Sequence, residues 1–475
     1  MNKLMILLIF IGTLNCSSNN DSDSLSNTYY ISPTGSDSNA GKIDSPFATL
    51  KKLNAVLTAG DIAYIRGGTY RDDQKTGWPK WNLNRLNGLL GTEEDSIFIF
   101  NYPGERPIFD YTGKDMGVMT LVLLQMTNCQ YVHIKGLTFT NAEQPKTSPI
   151  IGLNLTNSSH NLIDNFELSH IGGFGYMVSS SINGSEPIIA NSEYNTFLNC
   201  DAIDCEDPSS PEAYGGANGF NIVHDRDDFG IHANIWGSHT TFKNCRAWNC
   251  SDDGWDLFGM ESLDIIFENC WSMNNGYHIG SYIHTGDGNG FKLGPSYHNS
   301  WNTIHNITMT NCLAVGNYSS GFDQNTVGNT SVMWLYNCMA YANSWQGFYF
   351  EYLNGINHVF RNNLSYNQPS NFGMGTTHDH NSWDASPSVT ITDADFISLD
   401  TSQLRGVRSK EGFLPRITFG ILVKGSDLID AGVDIGLPYN GTAPDIGAFE
   451  YGTINSAANK NRNKGRKATQ NNGGK

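Results

Sequence analysis

The chain has 475 residues, 39% of them apolar, and a formal net charge of −17 at pH 7. That is ample for a large buried core, and so acidic a chain excludes nucleic acid as a partner, because a phosphate backbone is held by clustered Lys and Arg. An acidic polymer is not excluded, provided that a cation mediates the contact locally.

Met1-Asn2-Lys3, followed by the apolar run from Leu4 to Leu14, has the charged start and short apolar centre of a secretory signal, too short to span a membrane. Cys16 lies between Leu14-Asn15 and Ser17-Ser18 as in a bacterial lipoprotein box, with Asn15 where a small residue is usual. Residues 1–16 therefore read as a signal with lipid attached at Cys16, and residues 17–27 as a polar tether. The expected location is secreted or outer-membrane, with the membrane met only through the lipid anchor. Tyr29-Tyr30-Ile31-Ser32 reads as a strand. Ser45-Pro46 then predicts a helix, Ser as N-cap and Pro at its first position, with Phe47, Leu50, Leu53, Val56 and Leu57 on one face and Gly60 as its stop. Such a helix suits the open end of a coil stack, which it would cap. Asp61-Ile62-Ala63-Tyr64-Ile65 returns to strand. From there to Val433, short β-branched or aromatic runs such as Ile97-Phe98-Ile99-Phe100 and Ile265-Ile266-Phe267 alternate with Asn, Gly, Ser and Asp turns. His378-Asp379-His380 lacks a third metal ligand nearby and reads as a loop. Residues 453–475 carry Lys460, Arg462, Lys464, Arg466 and Lys467 among Asn and Gly, and read as a disordered, solvated tail.

Within the strand-rich part a phrase recurs: Asn-Cys, a polar turn, then Gly-aromatic-X. It runs from Asn199-Cys200 to Gly219-Phe220-Asn221 and from Asn244-Cys245 to Gly254-Trp255-Asp256. Further copies run from Asn269-Cys270 to Gly290-Phe291-Lys292, from Asn311-Cys312 to Gly321-Phe322-Asp323 and from Asn337-Cys338 to Gly347-Phe348-Tyr349, with a weaker one at Asn362-Asn363. The last four of these cysteines are 25, 42 and 26 residues apart (270−245, 312−270, 338−312), a rung of about 25 with one insertion. One long solenoid domain over residues 28–452 follows, all-β, with parallel strands ~4.8 Å apart. Stacked coils turn X into a column: Asn221, Asp256, Lys292, Asp323, Tyr349. The cysteines are expected to be small buried apolar side chains rather than a disulfide framework, with Cys205 and Cys250 the two that could do otherwise, and no spacing suits thiolate-bound zinc. Asparagine at the turns is expected to accept left-handed backbone and to form ladders.

Ser251-Asp252-Asp253-Gly254-Trp255-Asp256 brings three carboxylates onto one turn. They repel unless a cation neutralises them, and hard oxygens of this kind suit Ca²⁺. Lys292 stands one rung away. Tyr277, His278, Tyr282, His284, Trp345 and Tyr349 fall in the variable turns, where aromatic faces can stack on sugar rings.

The stretches Asn244-Cys245-Arg246-Ala247-Trp248 to Asp256-Leu257-Phe258, Gly288-Asn289-Gly290-Phe291-Lys292-Leu293-Gly294 and Gly321-Phe322-Asp323-Gln324-Asn325 resemble the family 9 polysaccharide lyases. The resemblance covers most of residues 28–452. It implies a right-handed parallel β-helix that cleaves a pectic polymer, homogalacturonan or rhamnogalacturonan, by Ca²⁺-assisted β-elimination. It assigns Ca²⁺ to Asp252, Asp253, Asp256 and the Gly254 carbonyl, and the role of base to Lys292. Arg246, Asp323, Gln324, Asn325 and Tyr349 become candidate substrate contacts of a monomeric enzyme. Ile429-Asp430-Ala431-Gly432 with Pro444-Asp445-Ile446-Gly447 is similar to the closing segment of many such helices. One rung before the acidic turn the family shows Asp-Gly-Phe, where this chain has Asn218-Gly219-Phe220. An asparagine oxygen such as that of Asn218 can still ligate Ca²⁺, but with one charge fewer the site is expected to be weaker. Two rivals stay open on the residues themselves: a β-helix glycoside hydrolase using Asp252 and Asp253, which leaves Lys292 without a task, and a non-catalytic glycan-binding lipoprotein.

Overall fold

The computed structural model describes residues 26–71, 82–114, 116, 120–144, 148–179, 192–208, 217–222, 239–257, 264–294, 306–325, 332–351, 357–373 and 375–452. Cys16, the leader and the basic tail lie outside the described residues.

Each repeat phrase is one coil, and each of its letters has a physical task. Asn199, Asn244, Asn269, Asn311 and Asn337 have φ between 50° and 57°, the left-handed turn that asparagine accepts more readily than other side chains. The cysteine that follows is fully buried, and its thiol donates to a backbone carbonyl, as Cys245 Sγ does to Phe197 O at 3.3 Å. All eight described cysteines are buried and free, Cys205 and Cys250 among them. At the next turn, Asn275 Nδ2 donates to Asn317 Oδ1 and Asn317 Nδ2 to Asn343 Oδ1, both at 2.9 Å, a side-chain ladder along the stack. Glycine in Gly-aromatic-X is required by close approach, since a Cβ on Gly254 would stand 2.7 Å from the Gly290 carbonyl of the next rung. The aromatic turns inward: Tyr176, Phe220, Trp255, Phe291, Phe322 and Phe348 stack with successive ring centroids 4.5 to 5.1 Å apart. X turns outward.

The coils build three parallel sheets, in which twelve, ten and ten strands are described. Apart from the first two strands, which are neighbours in the twelve-stranded sheet, each sheet takes every third strand in chain order, so one coil contributes one strand to each wall of a right-handed parallel β-helix. The aromatic and cysteine columns, with the apolar residues of all three walls, form one continuous core. On the third sheet the register pairs Asn221 with Asp256, Asp256 with Lys292, Lys292 with Asp323 and Asp323 with Tyr349. The expected column is the observed one.

The outer face of the second sheet is covered. Trp248, Trp271, Met273, Leu313, Val315 and Met339 pack under Phe396, Leu404, Phe419, Leu422 and Ile446 of the C-terminal segment, a second core outside the coil.

Two local expectations are corrected. The N-terminal helix is shorter, Leu50–Asn54, and its N-cap is Thr49, whose hydroxyl accepts from Lys52 N at 3.1 Å. Phe47 instead bridges to Ile31 as an extension of the sheet, and Asp37 gathers the N–H groups of Ala48 and Thr49. Sheet pairing thus claimed the residues that Ser45-Pro46 would have started as helix. The helix still buries Leu50 and Leu53. Thr377–Asp379 is a strand rather than a loop, paired with Val359–Arg361, and His378 is held by Thr376 and by Trp383 Nε1.

Candidate active site

Lys292 lies at the middle of the outward column, and only 7% of it is exposed. Its Nζ is 2.7 Å from Asp287 Oδ2, 3.3 Å from Asp253 Oδ2 and 3.8 Å from Asp256 Oδ2. Burial acts to lower the pKa of this amine, but the charges of Asp253, Asp256, Asp252 and Asp287 outweigh it and hold the ammonium above the ordinary lysine range. Asp253 is fully buried; burial first, and then the charge of Asp252, push its carboxyl well above the usual carboxylate range. Four carboxylates around one amine leave a deficit of positive charge.

The acidic turn is rigid. Asp253 N donates to Asn218 Oδ1 at 2.6 Å, while Asn218 Nδ2 donates to Asp256 Oδ2 at 3.2 Å and to Asn221 Oδ1 at 3.1 Å. Asp252 Oδ1 accepts from Asp287 N at 2.5 Å, and Asp253 Oδ1 from Asn289 N at 2.6 Å. Asn218, Asp252, Asp253 and Asp256 therefore come together with Lys292. The Gly254 carbonyl is engaged in the ladder, where it accepts from Phe220 N at 3.0 Å.

Beyond Lys292, the carboxyl of Asp323 is pushed up to about 6, chiefly by burial. Gln324 and Asn325 fix this rung: Gln324 N donates to Tyr349 O at 2.9 Å, Asn325 N to Asp323 Oδ1 at 2.5 Å and Asn325 Nδ2 to Gly294 O at 3.1 Å. Tyr349 donates through its hydroxyl to Glu351 Oε2 at 2.8 Å and lies 4.5 Å from the Trp345 ring.

Arg246 is not at this site, and its expected role as a substrate contact is withdrawn. It points outward from the second sheet, is 2% exposed, and forks onto Asp201 at 2.9 and 2.7 Å. Its remaining nitrogen donates to the carbonyls of Leu404 and Gly406 at 2.9 and 2.8 Å. Arg408 closes on the same carboxylate at 2.9 and 2.6 Å. Arg246 is a clamp for the C-terminal segment and cannot reach a ligand.

Asp287 is the residue that the sequence reading missed. In the rung before and the two rungs after, the cysteine precedes X by 11 residues (256−245, 323−312, 349−338), but Cys270 precedes Lys292 by 22 (292−270), much as Cys200 precedes Asn221 by 21 (221−200). The additional residues form a loop, bridged at Tyr277 and His284, that returns through Gly286-Asp287-Gly288 to the site. Gly286 has φ 51°, and a Cβ there would stand 2.4 Å from Asp252 Oδ1. That doubled interval was the available signal.

Over residues 29–336 the sequence matches the family described as Pel9A-like, right handed beta helix region. The chain belongs to this family of polysaccharide lyases. Pectate lyase L of Dickeya chrysanthemi is 32% identical over 426 residues, covering 89% of this chain and 90% of its own. Pectate lyase L of Paenibacillus polymyxa is 30% identical and covers 86% and 84%. Among solved structures, pectate lyase Pel9A aligns with a TM-score of 0.72 at 28% identity over 90% of this chain and 96% of its own. A rhamnogalacturonan lyase aligns with a TM-score of 0.70 at 26% identity over 84% and 97%.

In this polysaccharide lyase the acidic turn has the makings of a metal centre. Asp252, Asp253 and Asp287 each offer an oxygen within 4.8 Å of the others. Asp253 Oδ2 is buried and accepts no hydrogen bond, and fixed carboxylates on a turn are the hard donors that Ca²⁺ prefers. The residues fit the ion.

Proposed function

We propose that this lyase cleaves a uronic-acid-containing pectic polymer by β-elimination, with Lys292 as base and Ca²⁺ held by Asp252, Asp253 and Asp256, assisted by Asn218 and by Asp287. The observation that carries the reading is a single buried amine within 4 Å of three carboxylates on the outer face of the coil. Kinship with two pectate lyases and a rhamnogalacturonan lyase supports the polymer class.

In the reaction the proton at C5 of a uronate leaves, a C4–C5 double bond forms and the C4–O bond to the next sugar breaks, its electron pair going to the departing oxygen, which takes up a proton from water. In its neutral form, after losing a proton to solvent, Lys292 Nζ takes the C5 proton, from a position set by the Asp287 contact on one side and the Asp253 contact on the other. Bound calcium would supply the charge that offsets the carboxylates around the amine and that makes the C5 proton of a neutralised uronate acidic. Asn218 holds the turn by accepting from Asp253 N and donating to Asp256, so that the carboxylates keep their spacing without a fifth negative charge.

The direct test is to incubate the purified protein with a panel of uronic polymers, with and without a calcium chelator, and follow ultraviolet absorbance. Unsaturated products that appear only with calcium are expected; new reducing ends without absorbance would replace the lyase by a hydrolase. We further propose export and a lipid anchor at Cys16, on the strength of the leader. Cys16→Ser should release the enzyme from membranes, and unchanged partition would sink the anchor.

A further inference from the structure

We propose that Trp345, Tyr349 and Glu351 form a sugar subsite along the groove that takes an uncharged pyranose and rejects a free uronate. The proposal rests on the lyase reading of Lys292 and names the substrate feature that the groove selects. Tyr349 is two rungs from Lys292 by way of Asp323, about 10 Å along the stack, so its sugar lies beyond the one at the base. The indole of Trp345 covers Tyr349 with ring centroids 4.5 Å apart and planes tilted by 46°. Tyr349 is 8% exposed and Trp345 47%, which leaves an aromatic surface at the edge of the column available to the C–H face of a sugar ring. Trp345 N donates to Ser319 O at 3.3 Å, which ties the platform to the rung below.

The charges around the platform are all of one sign. Tyr349 spends its hydroxyl proton on Glu351 Oε2 at 2.8 Å, and Asp323 lies one rung toward the base. Among the described residues of the third-sheet strands from Phe220 to Phe372 and their flanking turns, Lys292 is the sole Lys or Arg, and three carboxylates already surround it. A uronate stacked on Trp345 would bring its carboxylate toward Glu351 and Asp323 with no described cation to offset the repulsion. An uncharged ring presents hydroxyls, for which Glu351 is an acceptor. Two sources offer that chemistry: a neutral sugar within a mixed backbone, or a uronate whose carboxyl is esterified.

Wild type, Trp345→Ala and Glu351→Gln are compared on fully de-esterified polygalacturonate, on its methyl ester and on a polymer alternating galacturonate with a neutral sugar. Trp345→Ala should raise KM about tenfold on the polymers carrying uncharged rings, with a smaller change in kcat. A rise confined to the alternating polymer assigns the neutral sugar, one confined to the ester assigns the ester, and a rise on both means that charge alone decides. Glu351→Gln keeps an acceptor for Tyr349 and should lower KM several-fold on the de-esterified polymer only. Unchanged KM in Trp345→Ala on every polymer, or no gain on the charged polymer in Glu351→Gln, would overturn the subsite. Calorimetry of oligosaccharides cut from the same three polymers, against wild type and both variants, reads the subsite without turnover. It separates failure of the subsite from failure of the lyase reading, which shows as absence of unsaturated product from every polymer in wild type.

Discussion

Two clusters of buried charge lie on neighbouring outer faces of the same coil, and they differ in balance. On the second sheet, Asp201 is gripped by two guanidiniums, Arg246 and Arg408, beneath the C-terminal segment. On the third sheet, Lys292 faces Asp252, Asp253, Asp256 and Asp287. In the first cluster the charges offset one another, Asp201 and its register neighbour Glu167 facing Arg246, Arg408 and Arg106, and the donors that are left reach backbone carbonyls. In the second the carboxylates are in excess and Asp253 Oδ2 accepts no hydrogen bond. A buried cation therefore says little by itself. The sign of the unbalanced charge, and whether the surroundings close over it, separate a clamp from a cluster whose oxygens suit a cation.

The largest expected effect lies in the unbalanced cluster. Lys292→Ala should lower turnover by at least ~10²-fold, the scale of a lost general base, while thermal unfolding at saturating calcium stays close to wild type. Wild-type turnover in that variant would make Lys292 structural. The clamp should behave in the opposite way. Arg408→Ala leaves Asp201 short of a partner and should cost about 3–5 kcal/mol in chemical unfolding, with little change in turnover per folded molecule. A large loss of turnover with unchanged stability would show that the two faces are not independent.

The clamp also has a pH signature. Burial alone would raise the pKa of Asp201, but Arg246 and Arg408 outweigh it and hold the carboxyl at about 2, below the ~3.9 of an unfolded aspartate. Its stabilisation is complete above the unfolded value and is lost as pH falls from about 4 through 2, about 2–3 kcal/mol in all. Unfolding curves of wild type should show this loss, and Arg408→Ala should show a smaller one. An equal acid slope in both proteins would place the sensitivity elsewhere. The smallest effect belongs to a turn remote from either cluster: Asn311, at φ 54°, should cost about 1 kcal/mol on replacement by alanine, the penalty of a left-handed turn without a suitable side chain. A neutral Asn311→Ala would remove the explanation given for the repeated asparagine.

These clusters were not equally legible in the sequence. The column of Asp256, Lys292, Asp323 and Tyr349 followed from the spacing, because a parallel coil in register converts a repeated position into neighbours. Asp287 broke the interval, since an insertion carried it to the site by a route that the repeat does not encode. Arg246 failed for a different reason: its partners Leu404 and Gly406 lie 158 and 160 residues further along the chain, in a segment whose fold the repeat says nothing about. The helix start at Ser45-Pro46 was a sound local signal, overridden when Phe47 joined the sheet edge through Ile31.

Titration calorimetry of the metal-free protein measures directly whether the acidic turn holds calcium. Wild type should bind calcium, Arg408→Ala should bind it with the same affinity, and Asp253→Ala should lose binding. Equal affinity in wild type and Asp253→Ala would contradict the account.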